Sequence, residues 1–394
     1  MKNFIGIDNS SVDHKIRIIN EDGKQSASFT IANSYDGFEE LDRRLRVFPD
    51  VSIGFELPHG PIVDYLQSKQ YHLYSVNPLK IKRFKESQKV SGNKSDDIDA
   101  CAIAEYLRRY SMHTREMVLN SSSLERLKTL SIIHTRLTHD RARHINKLRF
   151  AVRQYFPLHD ILFSNFGCKI QLKMLLAYPN FCTLGSASDE EINAFLKRHQ
   201  YRRQGYINKA IEKIRSHRQL ISPDVEYAYQ FETVCLCKMI MILYEDMDRI
   251  EKEMKMIVDA HRLGKCFKSL PGAGDILGGK LLALFGDDKD RFDNDNAAQC
   301  LFGTAPRNYQ SGTYHKVIMR KACNKSGRAV LYDFAFSSIK VSKWARLYYD
   351  NQRSKGKTHS VAVRALSNKW VRIIYRLWKD EILYQEDKIF QPAA

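Results

Sequence analysis

Long apolar stretches are scarce in this 394-residue sequence, and runs such as MIMIL at 239 to 243 are far shorter than the roughly 20 residues that cross a bilayer. A membrane span is thereby excluded as an expectation. Paired cysteines are also missing. The eight cysteines, Cys101, Cys168, Cys182, Cys235, Cys237, Cys266, Cys300 and Cys323, form no CxxC pair and have no histidines at matching spacing. Neither a zinc site nor a disulfide framework is indicated, and reduced, partly buried thiols are expected. The opening MKNFIGIDNS has no apolar signal region and carries an acid where one would be apolar, so a cytoplasmic location is expected. Acidic residues are in deficit: 45 Asp+Glu face 63 Lys+Arg, giving a formal charge of +18 and a pI near 9.4. A polyanionic partner, nucleic acid first, is expected to neutralise such a surface.

The acids that are present cluster. Lys94-Ser95-Asp96-Asp97-Ile98-Asp99-Ala100 places three carboxylates within four positions at the opening of a helical stretch. Two carboxylates about 4 Å apart repel by roughly 4 kcal/mol at an effective dielectric of about 20, so a folded site that gathers them usually holds a cation as well. Asp96 and Asp99 share a helical face, while Asp97 points elsewhere. Taken alone, such a string also fits an acid-rich first helical turn that complements the macrodipole.

Upstream, NFIGI at 3 to 7, KIRIIN at 15 to 20 and SASFTI at 26 to 31 read as three strands of an antiparallel meander, with the turn Glu21-Asp22-Gly23 between the last two. Helical spacing follows from Tyr35 to Val47. Next come a buried-type strand at 51 to 55, a helix-like segment at 61 to 69, a strand at 72 to 76 and a basic helix from Pro78. This order is that of the RNase H-like fold, in which the first and fourth strands end side by side. Asp8 ends the first and Glu56, before Leu57-Pro58, ends the fourth. With Asp96 and Asp99 on a helix across that edge, four carboxylates would form the oxygen-only ligand set that Mg²⁺ prefers, and a two-metal phosphodiester site becomes the expectation.

From Ser123 to Phe156 a single long helix is expected. Arg126, Lys128, Arg136, Arg141, Arg143, Lys147, Arg149 and Arg153 suit it to lie along a phosphate backbone, or else make it a solvated face. Residues 157 to 225 read as helical, bounded near Pro157 and Ser222-Pro223, and carry no functional signal. Thr233, Leu236, Ile240, Leu243, Met247, Ile250, Met254 and Ile257 repeat at steps of three and four, a coiled-coil pattern whose partner is either a second subunit or the basic helix; a dimer is expected. SLPGAGDILGG, from Ser269, resembles the turn of a helix-hairpin-helix motif, in which Gly272 and Gly274 would let backbone amides approach a phosphate. A plain helix connection fits equally. Further on, Ser311 stands in a Gln-Ser-Gly turn among Arg307, His315, Lys316, Arg320, Lys321, Lys325 and Arg328. Such cations would bind a phosphate and make Ser311 a candidate nucleophile, set against the ordinary reading of a turn serine.

Together GID at 6 to 8, FE at 55 to 56, VNPLKIKRF at 76 to 84, KSDDIDA at 94 to 100, LPGAG at 270 to 274 and GTAPRNYQSG at 303 to 312 resemble the DEDD-type insertion-sequence transposases, relatives of the pilin-gene invertase described as bridge-RNA-guided recombinases. The resemblance covers roughly 1 to 155 and 265 to 380. It implies a RuvC-like Mg²⁺ or Mn²⁺ site at Asp8, Glu56, Asp96 and Asp99, and a covalent link between Ser311 and DNA. It also implies a noncoding RNA that pairs with target and donor DNA, and dimers or tetramers in which the acids of one protomer act with the serine of another. The expected architecture is α/β plus all-α: a RuvC-like domain over 1 to 120, a basic-helix and coiled-coil connector over 121 to 264, and a mainly helical serine transposase domain over 265 to 394. Action on the prokaryotic nucleoid is implied. An actin-like sugar kinase also begins with a strand and Gly-Ile-Asp, but its second glycine-rich phosphate turn is missing here. A Holliday-junction nuclease would need the acids without Ser311, and a non-catalytic RNA-binding protein would need neither.

Overall fold

The computed structural model describes residues 2–56, 60–88, 96–117, 121–201, 203–218 and 221–389, without the side chains of Gln88, Asp96, Ser311, Lys388 and Ile389. The chain divides into two compact units, Met1–Leu119 and Asn120–Ala394.

The first unit runs β1 (Asn3–Asn9), β2 (Asp13–Asn20), β3 (Gln25–Ala32), α1 (Tyr35–Leu45), β4 (Val51–Phe55), α2 (Pro61–Ser68), β5 (His72–Ser75), α3 (Pro78–Gln88) and α4 (Asp96–Tyr110). Its five-stranded sheet has the order β3-β2-β1-β4-β5. The first three strands are antiparallel neighbours, and β4 joins both β1 and β5 in parallel. This is the mixed sheet expected of an RNase H-like fold. Parallel pairs need crossovers, which α1 and α2 supply.

Strand pleating sorts the two faces. Ile5, Ile7, Ile53 and Phe55 are fully buried on one face, in a core with Phe38, Leu41 and Leu45 of α1 and Ile62 and Leu66 of α2. The other face presents Gly6 and Gly54, which are register partners. There α4 lies directly on the sheet through Ala100, Ile103, Ala104 and Leu107, all fully buried at helical i, i+3, i+4, i+7 spacing. A Cβ on Gly6 would sit 2.0 Å from the Ala100 carbonyl oxygen and 2.6 Å from the Ala104 nitrogen, and one on Gly54 would sit 2.9 Å from Ile103 Cγ2. Only glycines permit this approach. Ala104 and Leu107 pack with Phe4 at the start of β1, whereas Ala100 lies on Gly6. The helix therefore runs antiparallel to β1, and its first turn lies toward the strand's C-terminal end.

The second unit is built on two long helices, α5 (Ser122–Tyr155) and α11 (Pro223–Ala260). Between them come α6 (Leu158–Leu162), α7 (Lys169–Ala177), α8 (Phe181–Ser186), α9 (Asp189–Arg198) and α10 (Gln204–Ser216). After them come α12 (Gly264–Lys268), α13 (Gly274–Phe285), α14 (Asp295–Leu301), the hairpin β6 (Arg307–Ser311) and β7 (Tyr314–Ile318), then α15 (Lys325–Ser338), α16 (Lys343–Ser354) and α17 (His359–Asp380). The long helices pair antiparallel, as shown by Arg126 with Glu253 and by Arg141 stacked 4.9 Å from the Tyr244 ring centre. At one end Leu124, Leu127, Met254 and Val258 join a core containing Phe285, Phe334, Trp370 and Trp378. At the other, Leu148, Val152, Leu236 and Ile240 join a second core with α6 to α10. The three-and-four spacing of α11 thus meets α5 of the same chain.

Candidate functional site

Pleat parity places the first two acids. Asp8 follows Gly6 by two positions on β1, and Glu56 follows Gly54 by two beyond β4, so both continue the face that meets α4. Ile7 pairs with Phe55, and the next positions of these parallel strands are Asp8 and Glu56. Position 96 is one turn before Ala100 on the sheet-facing stripe of α4, and Asp99 adjoins Ala100. The glycine pair thus brings the first turn of α4 toward the strand ends that bear the acids. Lys94 and Ser95 of the motif, with Leu57-Pro58, lie outside the described residues, as does the Asp96 side chain.

Asp99 does not stand free. Its carboxylate accepts from Lys85 Nζ of α3 at 2.7 Å, in a pair that is largely buried. Asp97 turns the other way, paired with Arg17 of β2 and accepting from Ser28 Oγ of β3 at 3.0 Å, which pins the start of α4 to the sheet. Among the described residues no three His, Cys, Asp or Glu side chains come together as a metal-binding group. The donor chemistry nevertheless fits a hard divalent ion: Asp8, Glu56 and Asp99 offer only oxygens, and an ammonium already sits where one of them needs a cation. Sequence reasoning missed Lys85, whose separation of 14 residues from Asp99 carries no pattern. It also missed the Gly6–Gly54 pair, whose signal was one glycine at the centre of each apolar strand.

In the second unit, Ser311 is the last residue of β6 and pairs with Tyr314 across a two-residue loop, Gly312-Thr313. Gly312 takes φ 57° while Thr313 stays at negative φ, the requirement of a type II′ hairpin, which explains glycine after the serine. Arg307, His315, Lys316 and Lys321 are exposed and Arg320 is half-buried. The Pro-Gly-Ala-Gly turn joins α12 to α13, but Gly272 is occupied: Ser337 Oγ of α15 donates to its carbonyl at 2.8 Å and leaves no room for a Cβ. Close packing, rather than an open anion cradle, accounts for that glycine. Gly274 faces open space.

The cations of α5 fall into two classes. Arg126 pairs with Glu253 and Arg143 with Asp140, Arg141 covers Tyr244, and Arg149 lies 3.3 Å from Asp160 and 4.7 Å from the Phe166 ring centre. Arg136 and Lys147 are exposed and have no partner among the described residues. His134 is buried and bonded to Glu251 at 2.9 Å, and burial lowers its pKa.

A DEDD-type IS110 family described as "Transposase" matches residues 5–157, and a family described as "Transposase IS116/IS110/IS902 family" matches residues 264–350. The chain is 26% identical to "Mini-circle putative transposase for IS117" of Streptomyces coelicolor, over 99% of this chain and 97% of the relative. It is 24% identical to "Insertion element IS900 uncharacterized 42 kDa protein" of Mycobacterium paratuberculosis, over 97% and 96%. To "Insertion element IS110 uncharacterized 43.6 kDa protein" of Streptomyces coelicolor it is 22% identical, over 74% and 72%. With one family on the acid-bearing sheet and the other spanning the serine hairpin, this chain belongs to the DEDD-type transposases of the IS116/IS110/IS902 family.

Proposed function

We propose that this transposase exchanges DNA strands through a covalent serine intermediate, with Asp8, Glu56, Asp96 and Asp99 as metal ligands and Ser311 as nucleophile. The observation that supports the reading is the Gly6–Gly54 slot, which seats α4 against the strands that lead into Asp8 and Glu56. Mg²⁺, or Mn²⁺ in its place, would supply charge neutralisation at the phosphate oxygens when bound. The rest is the chain's own chemistry. The Ser311 hydroxyl loses its proton and forms an O–P bond with the DNA phosphate; the P–O bond to a deoxyribose oxygen breaks, and that oxygen departs with a proton. Attack by a new sugar hydroxyl reverses these steps, so the bond energy is kept and no external energy source is needed. Arg307, Lys316, Arg320 and Lys321, close in sequence to Ser311, would stabilise charge on the phosphate.

In this reading residues 1 to 120 bring the acids, 121 to 264 the connector and 265 to 394 the serine. Target and donor DNA are the substrates, and a noncoding RNA is the guide; its support is the family resemblance together with the +18 charge. A homo-oligomer, dimeric or tetrameric in the synaptic complex, is supported by the exposed stripe Tyr227, Phe231, Met239 and Ile242 on α11. Glu56→Gln and Asp96→Asn should each abolish metal-dependent strand exchange without lowering the melting temperature, because neutralisation removes repulsion in the metal-free protein. Full activity of either variant would overturn the metal-site assignment.

A further inference from the structure

The β6–β7 hairpin holds more than a serine. Cross-strand register pairs Tyr309 with Lys316 and position 311 with Tyr314, so one pleat parity collects Arg307, Tyr309, position 311, Tyr314 and Lys316 on a single face. The two rings meet edge-on at 6.3 Å, as neighbours on that face. Tyr309 is 50% and Tyr314 55% exposed, and neither hydroxyl has a partner among the described residues. Every hairpin residue from Arg307 to Val317 is exposed, position 311 aside. A bare two-stranded hairpin is marginal in water, so one with solvent-facing aromatics is a surface awaiting a partner. The cations on the same face give that partner negative charge.

We infer that Tyr309 and Tyr314 form a stacking platform for unpaired bases of the DNA strand whose phosphate is presented to position 311. The inference rests on the serine reading above and deepens it. Aromatic rings accept any base on a π-face while neighbouring cations hold the backbone, a combination that binds a single strand without reading its sequence. Arg307 and Lys316 would take phosphates on either side of the platform. The tyrosines are thus positioning residues, fixing the strand so that one phosphate meets the serine.

The test uses full-length Ser311→Ala protein, which is silent in the proposed chemistry, and a single-stranded DNA oligonucleotide carrying 2-aminopurine. Tyr309→Ala and Tyr314→Ala, each in that background, should weaken binding about 5- to 150-fold and relieve base-fluorescence quenching. Tyr→Phe should retain both. The salt dependence should not change with the tyrosines, which are uncharged, whereas Lys316→Ala should lower the slope by about 0.7. Unchanged DNA affinity in both alanine variants would overturn the inference, as would a loss confined to an RNA strand of the same sequence. A shift in sedimentation without loss of DNA affinity would assign the face to a second copy and overturn it too. Failure of the serine reading is separately visible: a covalent adduct that survives Ser311→Ala refutes the nucleophile, whatever the tyrosine variants bind.

Discussion

Gly6→Ala is the sharpest perturbation of the proposed site that touches none of its acids. The added Cβ would lie 2.0 Å from the Ala100 oxygen and 2.6 Å from the Ala104 nitrogen, both backbone atoms. Non-bonded contacts to carbon settle near about 3.5 Å, so α4 must withdraw by roughly 1.5 Å, since no side chain can rotate away. Overpacking of this kind costs about 1–3 kcal/mol, more where backbone meets backbone, and lowers the melting temperature of a unit this size by about 5–15 °C. The withdrawal also carries Asp96 and Asp99 away from Asp8 and Glu56; a misplacement of about 1 Å costs on the order of 100-fold in rate. Gly54→Ala should be milder, because its Cβ meets the side-chain atoms Ile103 Cγ2 at 2.9 Å and Leu107 Cδ2 at 3.4 Å, which can adjust. Gly205→Ala, on an exposed turn of α10 with nothing within 4 Å, serves as control and should be neutral or stabilising by up to about 1 kcal/mol. Thermal melts and strand-exchange assays on the three variants check the ranking. A Gly6→Ala protein that melts and exchanges strands like the wild type would refute the packing of α4 on β1, and with it the proposed gathering of the acids.

Lys85→Ala should lower the metal-free melting temperature and enlarge the rise produced by Mn²⁺, because the ammonium no longer holds Asp99 at 2.7 Å; a smaller Mn²⁺ response would contradict this. On α5, Arg136→Ala with Lys147→Ala should flatten the salt dependence of nucleic-acid binding by roughly 0.7 to 0.9 per contact. Arg141→Ala and Arg149→Ala should instead lower the melting temperature, through Tyr244 and through Asp160 with Phe166. An unchanged slope in the first pair would leave α5 as a solvated face. His159 is fully buried with neither ring nitrogen bonded among the described residues, and burial pushes its pKa from 6.5 to about 3. The unfolded chain therefore binds the extra proton between those values. Stability should be full above pH 6.5 and fall by up to about 1.4 kcal/mol per unit toward pH 3, a dependence that His159→Leu should reduce in acid-denaturation curves.

Much of the first unit was legible because short strands with clear turn signals leave few alternatives: Glu21-Asp22-Gly23 forces β2 back into β3, and the later strand–helix alternation forces crossovers. The placement of α4 was not legible, since glycine at 6 and 54 reads as ordinary until register makes the two residues partners. Heptad spacing on α11 announced a helical partner without naming it. Leu236, Ile240, Met247 and Met254 are buried within the chain, and the same pattern would serve a dimer. The arginines of α5 looked uniformly available because composition cannot show that Tyr244 and Asp160, from α11 and α6, occupy three of them, Arg141, Arg149 and Arg153. Ser311 was expected inside a turn. It closes a strand instead, because a type II′ loop needs only Gly312 and Thr313. The pairing of tyrosines with that serine on one pleat face follows from the register alone.

The most direct test of the account is a denaturing gel of full-length protein incubated with Mg²⁺, copurified RNA and end-labelled DNA carrying the element's junction. The predicted result is a labelled protein band that Ser311→Ala and Glu56→Gln each lose, and that partly returns when the two variants are mixed, as a site shared between protomers requires. A labelled band of unchanged intensity in Ser311→Ala protein would contradict the account.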